Sequence, residues 1–119
     1  MKRLLLCSLL MFILSNAFAA DYYWVGGAGS WTDLNPWASF SGGGANKSIV
    51  PGTGDDVYFD ANSGLDASSV IILPTSGNAV CRNMSWVGVT AAATFRADGS
   101  GTALQLQIYG NLELSPTVK

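Results

Sequence analysis

The sequence contains no histidine, only two cysteines and few charged side chains, which make up 12% of its 119 residues. Histidine is the most frequent general base and a principal zinc ligand, so its absence argues against zinc chemistry and against histidine-assisted nucleophilic catalysis. Cys7 lies in a segment that we expect to be removed, which leaves Cys81 without a partner for an intramolecular disulfide. We predict that Cys81 is buried as a small apolar side chain. We also predict that the protein is not an enzyme and has no catalytic residues, metal ligands or cofactors.

The chain also lacks an apolar run long enough to span a bilayer, which takes about 20 residues. Its longest run, Leu4–Leu14, follows two basic residues and is followed by small residues at Ala17 and Ala19. This order is typical of a secretory signal peptide. We therefore predict a cleaved helical signal peptide over residues 1–19. The mature protein is expected to be secreted, extracellular or on the outer surface, without stable membrane insertion after cleavage.

Positive charge is scarce in the rest of the chain. Residues 20–119 carry four basic and eight acidic side chains, which gives a net charge of −4. A surface of this sign repels phosphate groups, so we predict no nucleic-acid partner. The length suits one modest core, and we predict a single β-rich domain over residues 20–119.

Helical patterning is absent after the signal segment, because no window places apolar residues at i, i+3, i+4 and i+7 between capping residues. Short runs of β-branched or aromatic residues alternate instead with turn residues, which is typical of an all-β fold. The clearest strand is Leu104–Tyr109, where Leu104, Leu106 and Ile108 fall on one face. Further predicted strands are Asp56–Asp60, Val70–Leu73, Val80–Val87 with Met84 and Trp86 on one face, and a short one at Phe95.

Gly110 and Asn111 interrupt the last run before Leu112 and Leu114 continue on the same face. Both residue types tolerate left-handed backbone angles, so the break suits either a hairpin turn or a sharp corner between two strands of a coil. The intervals between the predicted strands are irregular and contain no clean repeat of the kind that marks a solenoid family. A last strand at Leu112–Leu114 leaves an unpaired edge, which predicts edge-strand self-association.

Large aromatic rings are concentrated near the start of the mature chain. Trp24, Trp31 and Trp37 lie within fourteen residues, in the stretch YYWVGGAGSWTDLNPW at 22–37. The G-G-x-G in this stretch does not predict a phosphate loop, because no helix pattern follows and no Lys-Ser or Lys-Thr completes it.

Three further stretches accompany the tryptophans, namely VPGTGDDVYFD at 50–60, CRNMSWVGVT at 81–90 and LQIYGNLEL at 106–114. Together the four stretches resemble the opening of large secreted, adhesin-like surface proteins of the Bacteroidetes type. Those chains begin with W-V-G-G-x-G-x-W and continue through P-x-x-x-D-D-V-x-F-D. The sequence is also loosely similar to the G8 domain, which shares the tryptophan pair, the P-G-x-G-D-x-V turn and a closing I-x-G-x-L.

The resemblance implies a parallel β-helix, or solenoid, with its first rungs in residues 20–119 as the N-terminal part of a longer solenoid. Trp24, Trp31 and Trp37 then form a Trp-rich N-terminal cap that plugs the open end of the coil. The implied function is a non-enzymatic secreted or cell-surface structural or adhesion module, with glycans or other surface proteins as partners. The alternative fold is a small β-sandwich in which Gly110 and Asn111 form a true hairpin.

The same rings suggest an alternative function. If Trp31 and Trp37 are exposed, they form a stacking platform for sugars, with Asp33 and Asn35 as hydrogen-bonding neighbours. The protein would then be a carbohydrate-binding module. Trp31, Trp37 and Asp33 are therefore the candidate ligand-binding residues.

A cluster of oxygen donors follows at Asp55, Asp56, Asp60 and Asn62. Such clusters bind calcium in extracellular proteins, but this spacing matches neither the twelve-residue calcium loop nor the glycine-rich nonapeptide repeat. We favour a turn in which the aspartate side chains accept hydrogen bonds from backbone amides, and we predict no metal.

Overall fold

A computed structural model describes residues 18–74, 76–91, 93–97 and 105–116 of the chain. These residues contain no helix, so the predicted all-β class is confirmed for the described part. The described strands are β1 Asp21–Trp24, β2 Gly29–Ser30, β3 Trp37–Ala38, β4 Asp56–Tyr58, β5 Val70–Leu73, β6 Ala79–Cys81, β7 Asn83–Ser85, β8 Thr94–Ala97, β9 Leu106–Ile108 and β10 Leu112–Glu113.

The strands form three small sheets. The first sheet has the order β10-β7-β4-β1-β3, the second has β2-β5-β8, and the third pairs β6 with β9. All of the described pairs are parallel except β1 with β3, which is antiparallel. Along the chain, β4 belongs to the first sheet, β5 to the second and β6 to the third. The next three strands, β7, β8 and β9, belong to the three sheets in the same order.

The first sheet is held by in-register pairing between distant parts of the chain. Val57 of β4 lies opposite Tyr22 of β1 and Met84 of β7, and Leu112 of β10 lies opposite Met84. Because alternate side chains point to opposite faces of a strand, these four residues share one face of the sheet. Tyr22, Val57 and Met84 are buried, so this face of the sheet is the inner one.

An aromatic column fills the interior behind this sheet. Trp24, Phe59 and Trp86 follow the inner residues of β1, β4 and β7, and the Phe59 and Trp86 rings stack with their centroids 4.0 Å apart. Trp24 and Phe95 contact Phe59 with centroid distances of 5.7 and 6.1 Å. A buried aromatic side chain removes a large apolar area from water, so this column supplies much of the core.

The last apolar stripe, which includes Leu106, Ile108, Leu112 and Leu114, is only partly covered. Leu106 and Ile108 are half-buried, whereas Leu112 and Leu114 are 51% and 50% exposed. Leu104, which was predicted to share this stripe, lies outside the described residues.

Two predicted strand boundaries differ from the observed ones. The predicted strand Val80–Val87 is two strands, which break at Arg82 because β6 belongs to the third sheet and β7 to the first. Met84 and Trp86, which were predicted to share one face, are both buried. The strand predicted for Asp56–Asp60 ends at Tyr58.

Gly110 and Asn111 form a corner, not a hairpin, because β9 pairs with β6 whereas β10 pairs with β7. Gly110 does not adopt the left-handed backbone angle that suggested the break. Its nitrogen donates a hydrogen bond to the Arg82 carbonyl at 2.6 Å, and a Cβ at Gly110 would approach that oxygen to 2.9 Å and the Asn83 side chain even more closely. Close approach of two backbones therefore explains this glycine.

The glycines of the G-G-x-G stretch also have structural roles. Gly27 has a left-handed φ of 64°, and its nitrogen donates a hydrogen bond to the Ser63 carbonyl at 2.9 Å. A Cβ at Gly26 would lie 2.6 Å from the Cβ of Pro36, which cannot move aside. These contacts fix the loop between β1 and β2.

The predicted signal peptide lies almost wholly outside the described residues, which begin at Phe18. Within the part that is described, no helix has the length and apolar character needed to cross a membrane.

Candidate functional site

The tryptophans predicted as a site form a buried cluster. Trp37 lies at its centre, with ring centroids 4.9 Å from Trp24 and 5.0 Å from Trp31, both in edge-to-face geometry. The Trp37 Nε1 donates a hydrogen bond to the Trp31 carbonyl at 3.0 Å, and the Trp24 Nε1 donates one to the Gly27 carbonyl at 2.7 Å. Both indole donors are therefore satisfied inside the protein.

This arrangement corrects the expectation of an exposed sugar platform. Trp31 is 1% exposed and Trp37 is fully buried, so neither ring presents a face to solvent. Asp33 is exposed in the connecting turn, where its Oδ1 accepts a hydrogen bond from the Asn35 nitrogen at 3.1 Å. The three candidate ligand-binding residues thus do not form a common surface, because the rings face the core.

The acidic stretch is used to hold turns, as the sequence analysis favoured. The Asp55 carboxylate accepts hydrogen bonds from the nitrogens of Gly52 at 2.8 Å and Ala20 at 3.1 Å. Asp60 accepts one from the Asn62 nitrogen at 2.8 Å. The prediction of a turn held by aspartate side chains is confirmed.

Asp56 has a separate role on the outer face of the first sheet. Its carboxylate accepts two hydrogen bonds from Arg82, at 2.9 Å from Nε and 2.5 Å from Nη2, and one from the Asn83 Nδ2 at 2.9 Å. Hydrogen bonding by Arg82 is the main reason that the pKa of Asp56 lies below its usual value, although burial acts in the opposite direction. The Asn83 Oδ1 in turn accepts the Asn111 nitrogen at 2.9 Å, which extends the network to β10.

Cys81 is buried, as predicted. Burial, assisted by the negative charge of Asp56, raises the pKa of its thiol to about 11. A thiol with this pKa is protonated at neutral pH and is a poor nucleophile.

The outer face of the first sheet carries a column of side chains that the sequence analysis did not identify. Tyr23, Tyr58, Ser85 and Glu113 are register partners on β1, β4, β7 and β10. The two tyrosine rings stack, with centroids 4.7 Å apart and an angle of 14° between planes. Ser85, the next residue of the column after Tyr58, has a short side chain, and a cleft of about 190 Å³ lies above it.

A second column of polar side chains borders this cleft. Asp56, Asn83 and Asn111 lie two residues before Tyr58, Ser85 and Glu113 on the same strands, and all six residues line the cleft. Burial is the main cause of a raised pKa at Tyr58, so its hydroxyl group stays protonated at neutral pH. Among the described residues, no group of three His, Cys, Asp or Glu side chains is placed to hold a metal ion.

A sequence signal for these columns does exist. The four-residue stretches DYYW, DVYF, NMSW and NLEL, which begin at residues 21, 56, 83 and 111, share an Asp or Asn followed by apolar residues at the second and fourth positions. The first residues of these stretches follow one another at intervals of 35, 27 and 28 residues, the same separations as those of the hydrogen bonds from Ala20 to Asp55, from Asn83 to Asp56 and from Asn111 to Asn83. Because the first interval is longer than the other two, the stretches do not form a repeat of fixed period.

Comparisons with models of protein families, with curated protein sequences and with solved structures found no match to this chain.

Proposed function

We propose that this protein is a non-enzymatic secreted or cell-surface structural and adhesion module, built as the first rungs of a parallel β-helix. The observation that supports it best is the ordered return of the chain to the first sheet, through β1, β4, β7 and β10, with parallel pairing at each step. The β-sandwich alternative is less well supported, because sandwiches are built from antiparallel sheets.

The tryptophan cluster supports the proposed cap. β3 pairs antiparallel to β1 at the edge of the first sheet, and Trp37 of β3 packs on Trp24 of β1. Solenoids need a terminal element that covers their apolar interior and ends the strand ladder. The buried rings and the reversed strand β3 suit that role.

The proposed location follows from residues 1–19, with cleavage after Ala19 and export of the remainder. A scaffold outside the cell is consistent with a chain whose described side chains are used mainly for strand pairing and aromatic packing. Catalysis by Cys81 is disfavoured because the thiol is buried.

A cross-linking experiment tests the coil. In the exported full chain, Ser85→Cys with Glu113→Cys places thiols on register partners 28 residues apart, and a short bifunctional methanethiosulfonate should join them. The control pair, Ser85→Cys with Gln107→Cys, lies on strands of different sheets and should not be joined by the same reagent. Equal cross-linking of both pairs contradicts the proposed coil.

Adhesion is tested separately with beads that carry the exported protein. The beads should adhere to glycan-coated or protein-coated surfaces better than beads carrying the denatured protein. Release of reducing ends from polysaccharides by the protein would instead identify an enzyme and would contradict the proposed function.

A further inference from the structure

In the outer column of the first sheet, the two large side chains of Tyr23 and Tyr58 are followed by the small side chain of Ser85. Adjacent strands of a sheet are about 4.8 Å apart, and the 4.7 Å between the Tyr23 and Tyr58 ring centroids matches this spacing. Ser85 occupies the next position, and its side chain is too short to cover the outward face of the Tyr58 ring. Tyr58 therefore offers one ring face to the stacked Tyr23 and the other to the cleft.

Glu113 forms the far wall of this cleft, two strand spacings from Tyr58, which is about 10 Å. A ring stacked on Tyr58 at about 4.5 to 5 Å leaves roughly 5 Å to the Glu113 position, enough for a hydroxyl substituent and a hydrogen bond. The cleft volume of about 190 Å³ suits one six-membered ring.

The cleft also contains hydrogen-bonding groups that the protein uses only in part. The Glu113 carboxylate and the Asn111 side-chain amide have no hydrogen-bond partner among the described residues. Ser85 Oγ accepts a long hydrogen bond of 3.4 Å from the Val87 nitrogen and keeps its own proton for donation. The Asp56 carboxylate is already paired with Arg82, so it stabilises the wall instead of binding a ligand.

We infer that this cleft binds one pyranose unit of an uncharged glycan, with a C–H face of the sugar stacked on Tyr58. Its hydroxyl groups donate to Glu113 and exchange hydrogen bonds with Ser85 and Asn111. A pyranose ring has apolar C–H faces and polar hydroxyl groups around its edge. The cleft matches both features, because the Tyr58 face is aromatic and hydrogen-bond donors and acceptors surround it. Anionic saccharides are excluded, because Glu113 and the net negative charge of the mature chain repel them.

This site differs from the tryptophan platform, since it uses none of Trp31, Trp37 and Asp33. It also goes beyond the proposed function and does not depend on it, because the cleft belongs to the outer face of one sheet. If the beads failed to adhere, binding of oligosaccharides to the protein in solution could still be measured independently.

The inference is tested by titrating the exported full chain with cellohexaose, laminarihexaose and mannohexaose, and with hexagalacturonate as the anionic comparison. Binding is followed by chemical shift changes of backbone amides. We expect at least one neutral oligosaccharide to bind at millimolar concentration, with the largest changes on β4, β7 and β10, and no binding of hexagalacturonate.

Two variants locate the site and one serves as a control. Ser85→Tyr extends the tyrosine stack into the cleft, so it should abolish binding while the melting temperature is unchanged or higher. Tyr58→Ala should weaken binding about tenfold or more, because the stacking surface is lost. Tyr109→Ala removes an exposed ring that does not line the cleft and should leave binding unchanged.

Three results overturn the inference. The first is absence of binding of all three neutral oligosaccharides to the folded protein. The second is binding that survives Ser85→Tyr in a protein with an intact amide spectrum. The third is preferential binding of hexagalacturonate, which would place the recognition on a basic surface elsewhere.

Discussion

At the scale of single residues, Asp56 is the carboxylate on which the outer face of the first sheet depends. It is 9% exposed and accepts hydrogen bonds from Arg82 and Asn83, which lie 26 and 27 residues further along the chain. Hydrogen bonds to charged groups contribute about 1.5 to 3 kcal/mol, more than neutral ones. Both oxygens of its carboxylate accept hydrogen bonds from Arg82 or Asn83, so we assign Asp56 a structural role.

We expect Asp56→Asn to lower the free energy of unfolding by about 1 to 3 kcal/mol, because the charged acceptor for Arg82 is lost. Urea denaturation of the exported protein measures this change. Asp33→Asn is the matched control, since Asp33 is exposed and an asparagine keeps the oxygen that accepts the Asn35 nitrogen. Equal stability of the Asp56→Asn variant and the parent protein would contradict this role.

The same carboxylate makes stability depend on pH. The pKa of Asp56 is lowered in the folded protein, so the stabilisation it provides is fully present above the ordinary value of 3.8. It is lost as the pH falls from there through the folded-state pKa. The stability difference between the parent protein and Asp56→Asn should therefore be constant near neutral pH and shrink below about pH 4. A difference that grows on acidification would show that the sign is wrong.

At the scale of elements, the tryptophan cluster joins β1, β3 and the loop between β2 and β3. Trp37 contacts the rings of Tyr22, Trp24 and Trp31 and is fully buried. The sequence pattern predicted these residues as a group. Their burial is a consequence of β3 folding back antiparallel on β1.

We expect Trp37→Ala to destabilise the protein by about 3 to 5 kcal/mol, because it leaves a cavity and removes an indole hydrogen bond from the core. That is a large part of the 5 to 15 kcal/mol typical of a small domain, so the tryptophan cluster should unfold together with the rest of the core. Thermal denaturation followed by far-UV circular dichroism measures the loss. Phe40→Ala, an exposed aromatic residue three positions on, should change stability by less than about 0.5 kcal/mol.

The corner between β9 and β10 depends on the absence of a side chain at Gly110. We expect Gly110→Ala to cost about 1 to 3 kcal/mol and to loosen β10, because the new Cβ collides with the Arg82 carbonyl and the Asn83 side chain. Hydrogen exchange of the Met84 amide, which donates to the Asn111 carbonyl, reports on β10 directly. Gly54→Ala, where a Cβ meets nothing within 4 Å, is the control and should leave that exchange rate unchanged.

At the scale of the whole molecule, the interior is covered unevenly. An apolar cleft of about 240 Å³ opens beside β10. Its lining includes Trp86, Phe95, Leu106, Ile108, Leu112 and Leu114. A partly covered apolar interior next to a short edge strand is a site at which proteins associate.

We expect the protein to self-associate in a concentration-dependent manner, and Leu112→Lys to raise the dissociation constant about tenfold or more by placing a charge at this edge. Sedimentation velocity measures the association. Val87→Lys is the matched control, because Val87 is also 51% exposed but lies in a turn between strands. A protein that stays monomeric at high concentration would contradict the edge prediction.

Export is predicted to create a new ion pair. The Ala20 nitrogen lies 3.1 Å from the Asp55 Oδ1, and cleavage after Ala19 would turn it into an ammonium group. The sequence of the mature N-terminus should begin at Ala20. Asp55→Asn should lower the free energy of unfolding by about 0.5 to 1 kcal/mol more in the protein with a free amine than in the N-acetylated protein. Because a partner raises an amine's pKa, this extra stability should be present below about pH 8 and be lost above it. Asp60→Asn should show no such dependence on acetylation.

The sequence by itself determined the features that rest on local pattern. Frequent turn residues between short β-branched or aromatic runs predicted the all-β class and the strand at Val70–Leu73, and period-two alternation predicted the common face of Met84 and Trp86. The side-chain chemistry of Asp55 and Asp60 predicted their turns. These features depend on neighbours within a few residues, and local composition is enough to specify them.

Only the tertiary structure decided what depends on partners 27 to 35 residues away. Pairing brought Tyr23, Tyr58, Ser85 and Glu113 into one outer column, because the four short stretches that contain them lie side by side in register in the first sheet. Because β3 folds back antiparallel on β1, the tryptophans that were candidates for a binding surface are buried in the core. The corner at Gly110 was fixed by the distant Arg82 carbonyl instead of by its own backbone preference. Such choices are set by which strands lie side by side, and that is a property of long-range packing, not of the local chain.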